Sequence, residues 1–376
     1  MKTQGFIIVI ILIIAVFCAA CTTGGTGSQT DGTAVLPAEN TAENNPANTS
    51  EGAVTENKEP SSVSREPGEF EMAAREIPSP SLSNSWIDKL TTRNINIFLP
   101  PSYHQEKKDY PVIYFLAGYA DDISIWYDST VLSILNSFYR DHQNKEMIFV
   151  AVDGRNDLDG GFYVNSPVSG NWEDYVVKDV VGYIDSNYRT AKSRDARGLA
   201  GHSMGGFGCL SIAMHNSELF SSIYSMSPGL FDKSGLSKAL KDWEMEVNIY
   251  DAYGAAFCPL PDLGSPFTKY PVTVNNGKEV RDNNIWEIWD NGFGGLENKV
   301  NLYKNNLQKL KALTIDYGEN DPYTWIPDGC KYFSELLNKE GISHQLLSYP
   351  GDHATQVPER LLQNVLPFFA EQLSFK

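Results

Sequence analysis

The sequence predicts an α/β fold, a mostly parallel central sheet with helices on both faces and an inserted cap region. Three observations predict it. From about residue 85 onward, short apolar runs alternate with helical stretches, the pattern of doubly covered strands joined by crossover helices. A Gly-His-Ser-Met-Gly pentapeptide, residues 201–205, stands between an apolar run and a small-residue helical run. One stretch, 229–305, breaks the alternation and is rich in aromatic residues. A structureless loop of that length is uncommon inside a domain, so it reads as a cap over a pocket.

The chain has 376 residues, 41% of them hydrophobic, enough for a sizeable core. It opens with "MKTQGFIIVIILIIAVFCAAC". Lys2 forms a short basic region, and the apolar run from Phe6 to Phe17 is shorter than the ~20 residues of a spanning helix. Residues 1–20 therefore read as an export signal. Small residues ahead of a cysteine resemble a bacterial lipobox, which implies lipidation of Cys21. Cys18 stands where that pattern prefers Leu, and plain secretion with cleavage near Ala20 is the alternative. Residues 21–80 are rich in Thr, Ser, Asn, Glu, Gly and Pro. Such a segment buries too little apolar surface to offset its ordering entropy, which predicts a disordered tether. The domain proper is expected over 81–376.

Within it, "INIFLP" (95–100) and "YPVIYFLAG" (110–118) read as strands and 123–143 as a helix. "MIFVAVDG" (147–154) is a strand and 172–188 a helix. "RGLAG" (197–201) leads as a strand into the helix "MGGFGCLSIAMH" (204–215), and "FSSIYSMSP" (220–228) follows as a strand. After the cap come the strand "LTIDYG" (313–318), a helix over 328–341, the strand "HQLLSYP" (344–350) and a closing helix over 358–373.

The formal charge of −17, from 30 basic and 47 acidic residues, argues against a nucleic-acid partner, since phosphate binding needs a basic surface. No metal-ligand spacing, phosphate loop or dinucleotide motif is present, so no cofactor is expected. Past the tether stand Cys209, Cys258 and Cys330. An odd count excludes a disulfide scaffold and leaves Cys258 and Cys330 as a pair that an oxidising compartment would permit.

Glycines on both sides of Ser203 allow the tight, strained turn that lifts a nucleophilic hydroxyl clear of the backbone. A serine needs an adjacent base. In α/β-hydrolases the order along the chain is Ser, acid, then His in a loop after the last strand, and "SYPGDHATQVPER" puts His353 there. His344 begins a strand and reads as structural. His202 sits inside the turn and cannot face its neighbour's hydroxyl. For the acid, "LTIDYGENDPYTW" offers Asp316, Glu319 and Asp321. Asp316 falls within the strand, whereas Asp321 lies past its end, where it can turn back to an imidazole; it is preferred over Glu319. Oxyanion donors are expected from the amides of Met204, next after the serine, and Tyr119, after "VIYFLAG". Asp121 and Asp122 read as a solvated helix start, with binding of a polar substrate group as the other reading. Trp172 and Glu173 either line the pocket rim or cap a helix. The cap tryptophans Trp243, Trp286 and Trp289 read as core more often than as stacking surfaces for a sugar or aryl acid.

The segments "YFLAGYADD", "DGRNDLDGGFYVNSPVSGNWEDYVVKDVVGYIDSNYRT", "RGLAGHSMGGFG", "YGENDP" and "GDH" resemble the esterase D-like α/β-hydrolases. That family includes feruloyl and acetyl-xylan esterases, S-formylglutathione hydrolases, enterochelin esterases and mycolyltransferases. The resemblance runs from about 90 to the C-terminus. It departs at Ala117, where members often carry His or Asp, and over 229–305. It implies a serine carboxylic-ester hydrolase acting through an acyl-enzyme on Ser203, on acylated carbohydrate or aryl esters. The leader and Cys21 add the expectation of an exported enzyme, lipid-anchored to the membrane, with a small-molecule or glycan ester as its substrate. An acyltransferase on cell-envelope sugars and a non-catalytic surface domain are the alternatives.

Overall fold

In the computed structural model, which describes residues 68–89, 91–124, 129–244 and 248–375, the chain enters the sheet earlier than its composition predicts. Strand β1 (Glu71–Pro78) pairs antiparallel with β2 (Thr92–Leu99) along its whole length. The expected tether through residue 80 is therefore corrected: 71–78 belong to the domain. An edge strand needs only one apolar face, and here that face is sparse. Ala73 and Ile77 are buried while Ala74, Glu76 and Pro78 are exposed. The expected signal at 1–20, Cys21 and the tether up to 67 lie outside the described residues.

The remaining elements follow the predicted alternation. They are β3 (Val112–Leu116), α1 (Ser129–Asp141), β4 (Ile148–Val152) and a small hairpin of β5 (Asn165–Ser166) and β6 (Gly170–Asn171). Next, α2 (Trp172–Asp174) passes through a wider π-type turn into α3 (Val181–Asn187). Then come β7 (Arg197–His202), α4 (Met204–His215) and β8 (Ser222–Met226). The cap holds α5 (Gly235–Trp243), α6 (Ile249–Phe257), a hairpin of β9 (Val272–Asn275) and β10 (Lys278–Arg281), α7 (Asn283–Phe293) and α8 (Leu296–Gln308). The chain ends with β11 (Ala312–Gly318), α9 (Trp325–Lys339), β12 (Gln345–Tyr349), α10 (Val357–Arg360) and α11 (Leu366–Gln372).

The eight-stranded sheet runs β1-β2-β4-β3-β7-β8-β11-β12. From β4 to β12 every pairing is parallel, and only the β1–β2 end is antiparallel. Each central strand feeds both faces. Val112, Tyr114 and Leu116 of β3 join one core layer with Trp172 and Leu199. Ile113 and Phe115 join the opposite layer with Phe149 and Phe369. Burying side chains of this size contributes roughly 1.5–3 kcal/mol each, which is why a run buried throughout reads as continuously apolar.

The cap is a packed layer. Tyr253 of α6 is fully buried at its centre. Its hydroxyl donates to the Trp289 carbonyl (2.9 Å) and accepts from the Phe293 amide (2.8 Å), tying α6 to α7. Lys299 of α8 then donates to the carbonyls of Asn291, Gly292 and Gly294 at 2.6–2.7 Å, closing the C-terminal end of α7 as a cation should. Cys209, Cys258 and Cys330 are buried and free, so the permitted Cys258–Cys330 bridge is not formed.

Candidate active site

Ser203 occupies the single residue between β7 and α4, with φ 55° and ψ −113°. A non-glycine residue held there stores strain of about 1–3 kcal/mol. The strain is fixed from both sides: the Ser203 amide donates to the Met226 carbonyl (2.9 Å), and its carbonyl accepts from Phe207 (3.0 Å). The flanking glycines allow close approach. A Cβ on Gly205 would lie 2.0 Å from the Leu116 carbonyl oxygen, and one on Gly201 2.5 Å from the Gly205 oxygen.

His353 follows β12, in a loop held by its neighbours. The Asp352 carboxylate accepts from the amides of Thr355 (2.8 Å) and Ala354 (3.1 Å), and the Thr355 bonds hold its carboxyl below the usual range. The Asn320 amide donates to the Gly351 carbonyl (3.0 Å), joining this loop to the one after β11. From that second loop, Asp321 Oδ2 accepts from His353 Nδ1–H at 2.7 Å. Its side chain has no exposed surface, and its other oxygen accepts from the Tyr323 amide (2.9 Å). With Nδ1 donating, the neutral ring keeps Nε2 as an acceptor.

Ser203, Met204, Tyr119 and His353 line one cavity of about 130 Å3. Among the described residues no hydrogen bond joins the Ser203 hydroxyl to the ring; a bond of this kind often tightens only once substrate is bound. The Met204 amide opens α4, where first-turn N–H groups have no intrahelical carbonyl to meet. Several bonds fix the Tyr119 segment. The Tyr119 hydroxyl donates to the Leu158 carbonyl (2.9 Å), the Ala120 amide to Asp159 (3.0 Å), and the Gly118 amide to Asp121 Oδ2 (2.9 Å).

The rejected candidates have other partners. Buried Asp316 receives Arg360 Nε at 3.1 Å and the Tyr224 hydroxyl at 3.1 Å. Burial raises its carboxyl despite the guanidinium. Glu319 accepts from the Ser348 hydroxyl (2.7 Å) on the surface. His344 donates from Nδ1 to the Ile342 carbonyl (3.0 Å) and meets Ser334 with Nε2 (2.6 Å). His202 does more than the sequence predicts. Its Nε2–H donates to the backbone carbonyl of His353 (2.8 Å), with the two rings 4.7 Å apart. Burial, then the charges of His353 and Arg360, push its pKa well down.

Of the cap tryptophans only Trp243 lines the cavity. Trp289 is fully buried and Trp286 carries the Arg281 guanidinium 3.7 Å above its ring. Trp172 is core, donating to the Ser169 carbonyl (2.7 Å), and Glu173 pairs with His215 (2.8 Å). Asp122 binds Arg155 (3.0 Å). Most of the walls escape a reading of the sequence: Phe162, Ile249, Phe293, Tyr323 and Trp325. Tyr323 and Trp325 stand two and four residues after Asp321, a signal that was available.

A doubly covered parallel sheet with a strained serine at the strand–helix turn, and a histidine–carboxylate pair after its last strands, defines the α/β-hydrolase class. The profile of the family described as "Putative esterase" matches residues 90–357, and the chain belongs to that family. Two curated relatives are Esterase MT1326 and Esterase Rv1288 of Mycobacterium tuberculosis. Each is 28% identical over 273 residues, covering 69% of this chain and 52% of the relative. The chain thus spans about half the length of the curated relatives it matches. Among solved structures, a ferulic acid esterase superposes with TM-score 0.58 at 20% identity, over 81% of this chain and 99% of that one. A fluorophosphonate-binding serine hydrolase of Staphylococcus aureus gives 0.55 at 16%, over 81% and 99%. An S-formylglutathione hydrolase from Agrobacterium tumefaciens gives 0.54 at 17%, over 84% and 99%. At these identities the likeness is one of fold.

Proposed function

We propose that the protein is a serine carboxylic-ester hydrolase working through an acyl-enzyme on Ser203. The observation that carries this is that His353, held by Asp321 at 2.7 Å, lines the same cavity as the strained serine. His353 Nε2 takes the hydroxyl proton as Oγ attacks the ester carbonyl. The amides of Met204 and Tyr119 receive the oxyanion. The imidazolium formed beside Asp321 gives its proton to the departing alcohol. Water, activated by the same ring, then releases the acid. The aromatic walls favour acylated carbohydrate or aryl esters as substrates. The leader and Cys21 support an exported, lipid-anchored enzyme. The test is hydrolysis of short p-nitrophenyl esters together with fluorophosphonate labelling. Ser203→Ala is expected to abolish both, and equal rates in the two proteins overturn the reading.

A further inference from the structure

A second cavity, of about 350 Å3, lies behind the first. Its apolar walls include Phe207, Leu210, Met214, Leu230, Phe257 and Leu296, from α4, α6, α8 and the loop after β8, with Lys299 among the polar residues that complete the lining. Adjacent residues line the two spaces. Gly229 lines the first cavity and Leu230 the second; Phe293 lines the first and Gly292 the second. The partition is a set of aromatic rings. Phe293 lies 4.7 Å from Phe207 and 5.7 Å from both Phe257 and Phe162. Phe293 is the last residue of α7, its amide donating to the Tyr253 hydroxyl (2.8 Å) and its carbonyl accepting from Phe231 (3.1 Å), so the backbone is held and passage depends on the ring itself.

Volume decides what each space takes. A cavity of roughly 150 Å3 is filled by one benzene ring, so the first, at about 130 Å3, holds a ring or a short chain. Small-molecule sites begin at about 300 Å3, which the second exceeds. Direction decides which half of the ester it takes. The departing alcohol must lie against His353 to be protonated, and no residue of the His353 loop lines the second cavity. The acyl half is the one that faces the partition. The far mouth is marked by Leu302, largely exposed, and by Asn298 and His215.

We infer that the second cavity is an acyl-chain site, reached past Phe293, that lets the enzyme take esters of medium-chain aliphatic acids. The inference rests on the Ser203 reading and adds the class of acyl group. It is tested with p-nitrophenyl esters from acetate to decanoate. Phe293→Ala should raise kcat/KM for decanoate relative to acetate by on the order of tenfold. Adding Ser211→Phe, at a residue of α4 that lines the second cavity and whose larger side chain would fill it, or Leu302→Trp at its mouth should remove that gain. Either change alone should leave acetate turnover within about twofold. A chain-length ratio that is the same in all these proteins overturns the inference. A second arm needs no catalysis and no Phe293 variant. Decanoate is titrated calorimetrically into Ser203→Ala, and Ser211→Phe should weaken its binding by on the order of tenfold. Unaltered binding overturns the inference. So does weakened binding with no chain-length effect, since the cavity then serves another ligand. Failure of fluorophosphonate to label Ser203, with decanoate still bound in the second cavity, removes the esterase reading alone.

Discussion

Each member of the Ser203, Asp321 and His353 set depends on one geometric relation, and a single substitution isolates each. Asp321 fixes the tautomer of His353 by accepting from Nδ1. An amide can present its NH2 to that nitrogen, which drives the proton to Nε2 and leaves no base for the serine. Asp321→Asn should lower kcat on p-nitrophenyl acetate by on the order of 10^4 with KM little changed. His202 makes a different kind of prediction. Its folded pKa lies well below the ordinary value, so below about pH 6.5 the unfolded chain binds the extra proton first. Stability is therefore full above that pH and falls as pH drops toward the folded pKa, by about 1.4 kcal/mol per unit for one proton. His202→Gln, which keeps a donor for the His353 carbonyl, should flatten this slope in urea denaturation followed from pH 7 to 5; an unchanged slope would assign the acid loss elsewhere. The positions of Ser203, Asp321 and His353 were legible because each lies just past the end of a β-strand, a position that the strand runs locate. The walls Phe162 and Phe293 were not, because they arrive from loop and cap segments whose placement is set by packing.

At the scale of elements, alternation placed β3, β4, β7, β8 and β11, since strands buried on both faces leave continuous apolar runs. β1 stayed hidden because an edge strand with two buried positions looks like the polar chain before it. The cap's helices were hidden for another reason: α5 does carry a helical spacing at Leu236, Ala239, Leu240 and Trp243, but these short helices are separated by loops and an exposed hairpin, which mask the period of each. The approach of α4 to β3 can be measured directly. Gly205→Ala would set a methyl against the Leu116 carbonyl, 2.0 Å away, where only backbone movement relieves it. It should cost about 1–3 kcal/mol or more, together with esterase activity. Gly182→Ala, in α3 with nothing within 4 Å of its Cβ, should be neutral or stabilise by about 0.5–1 kcal/mol. Comparing the two urea midpoints separates close packing at the serine turn from the general preference of helices for alanine.

At the scale of the whole molecule, the net charge of −17 bears on how the protein would be held at a membrane. Anionic lipid headgroups repel an acidic chain, so surface electrostatics contribute no attraction of the kind that polybasic segments use. Among the described residues no helix is long and apolar enough to cross a membrane. On the lipid-anchor proposal, attachment rests on covalent acyl chains, and several chains hold far more firmly than one. The anchoring proposed at Cys21 therefore makes an all-or-none prediction. Expressed in a bacterium with lipoprotein processing, the protein should enter the detergent-rich phase and remain in the membrane fraction at about 1 M salt, where ionic attachments are screened within ~3 Å. Cys21→Ser should move it to the aqueous phase without altering turnover per mole, because the reacting groups all lie beyond residue 118. Release of the unaltered protein by salt, or identical partitioning of the two, would show that Cys21 carries no lipid and that the leader serves plain secretion.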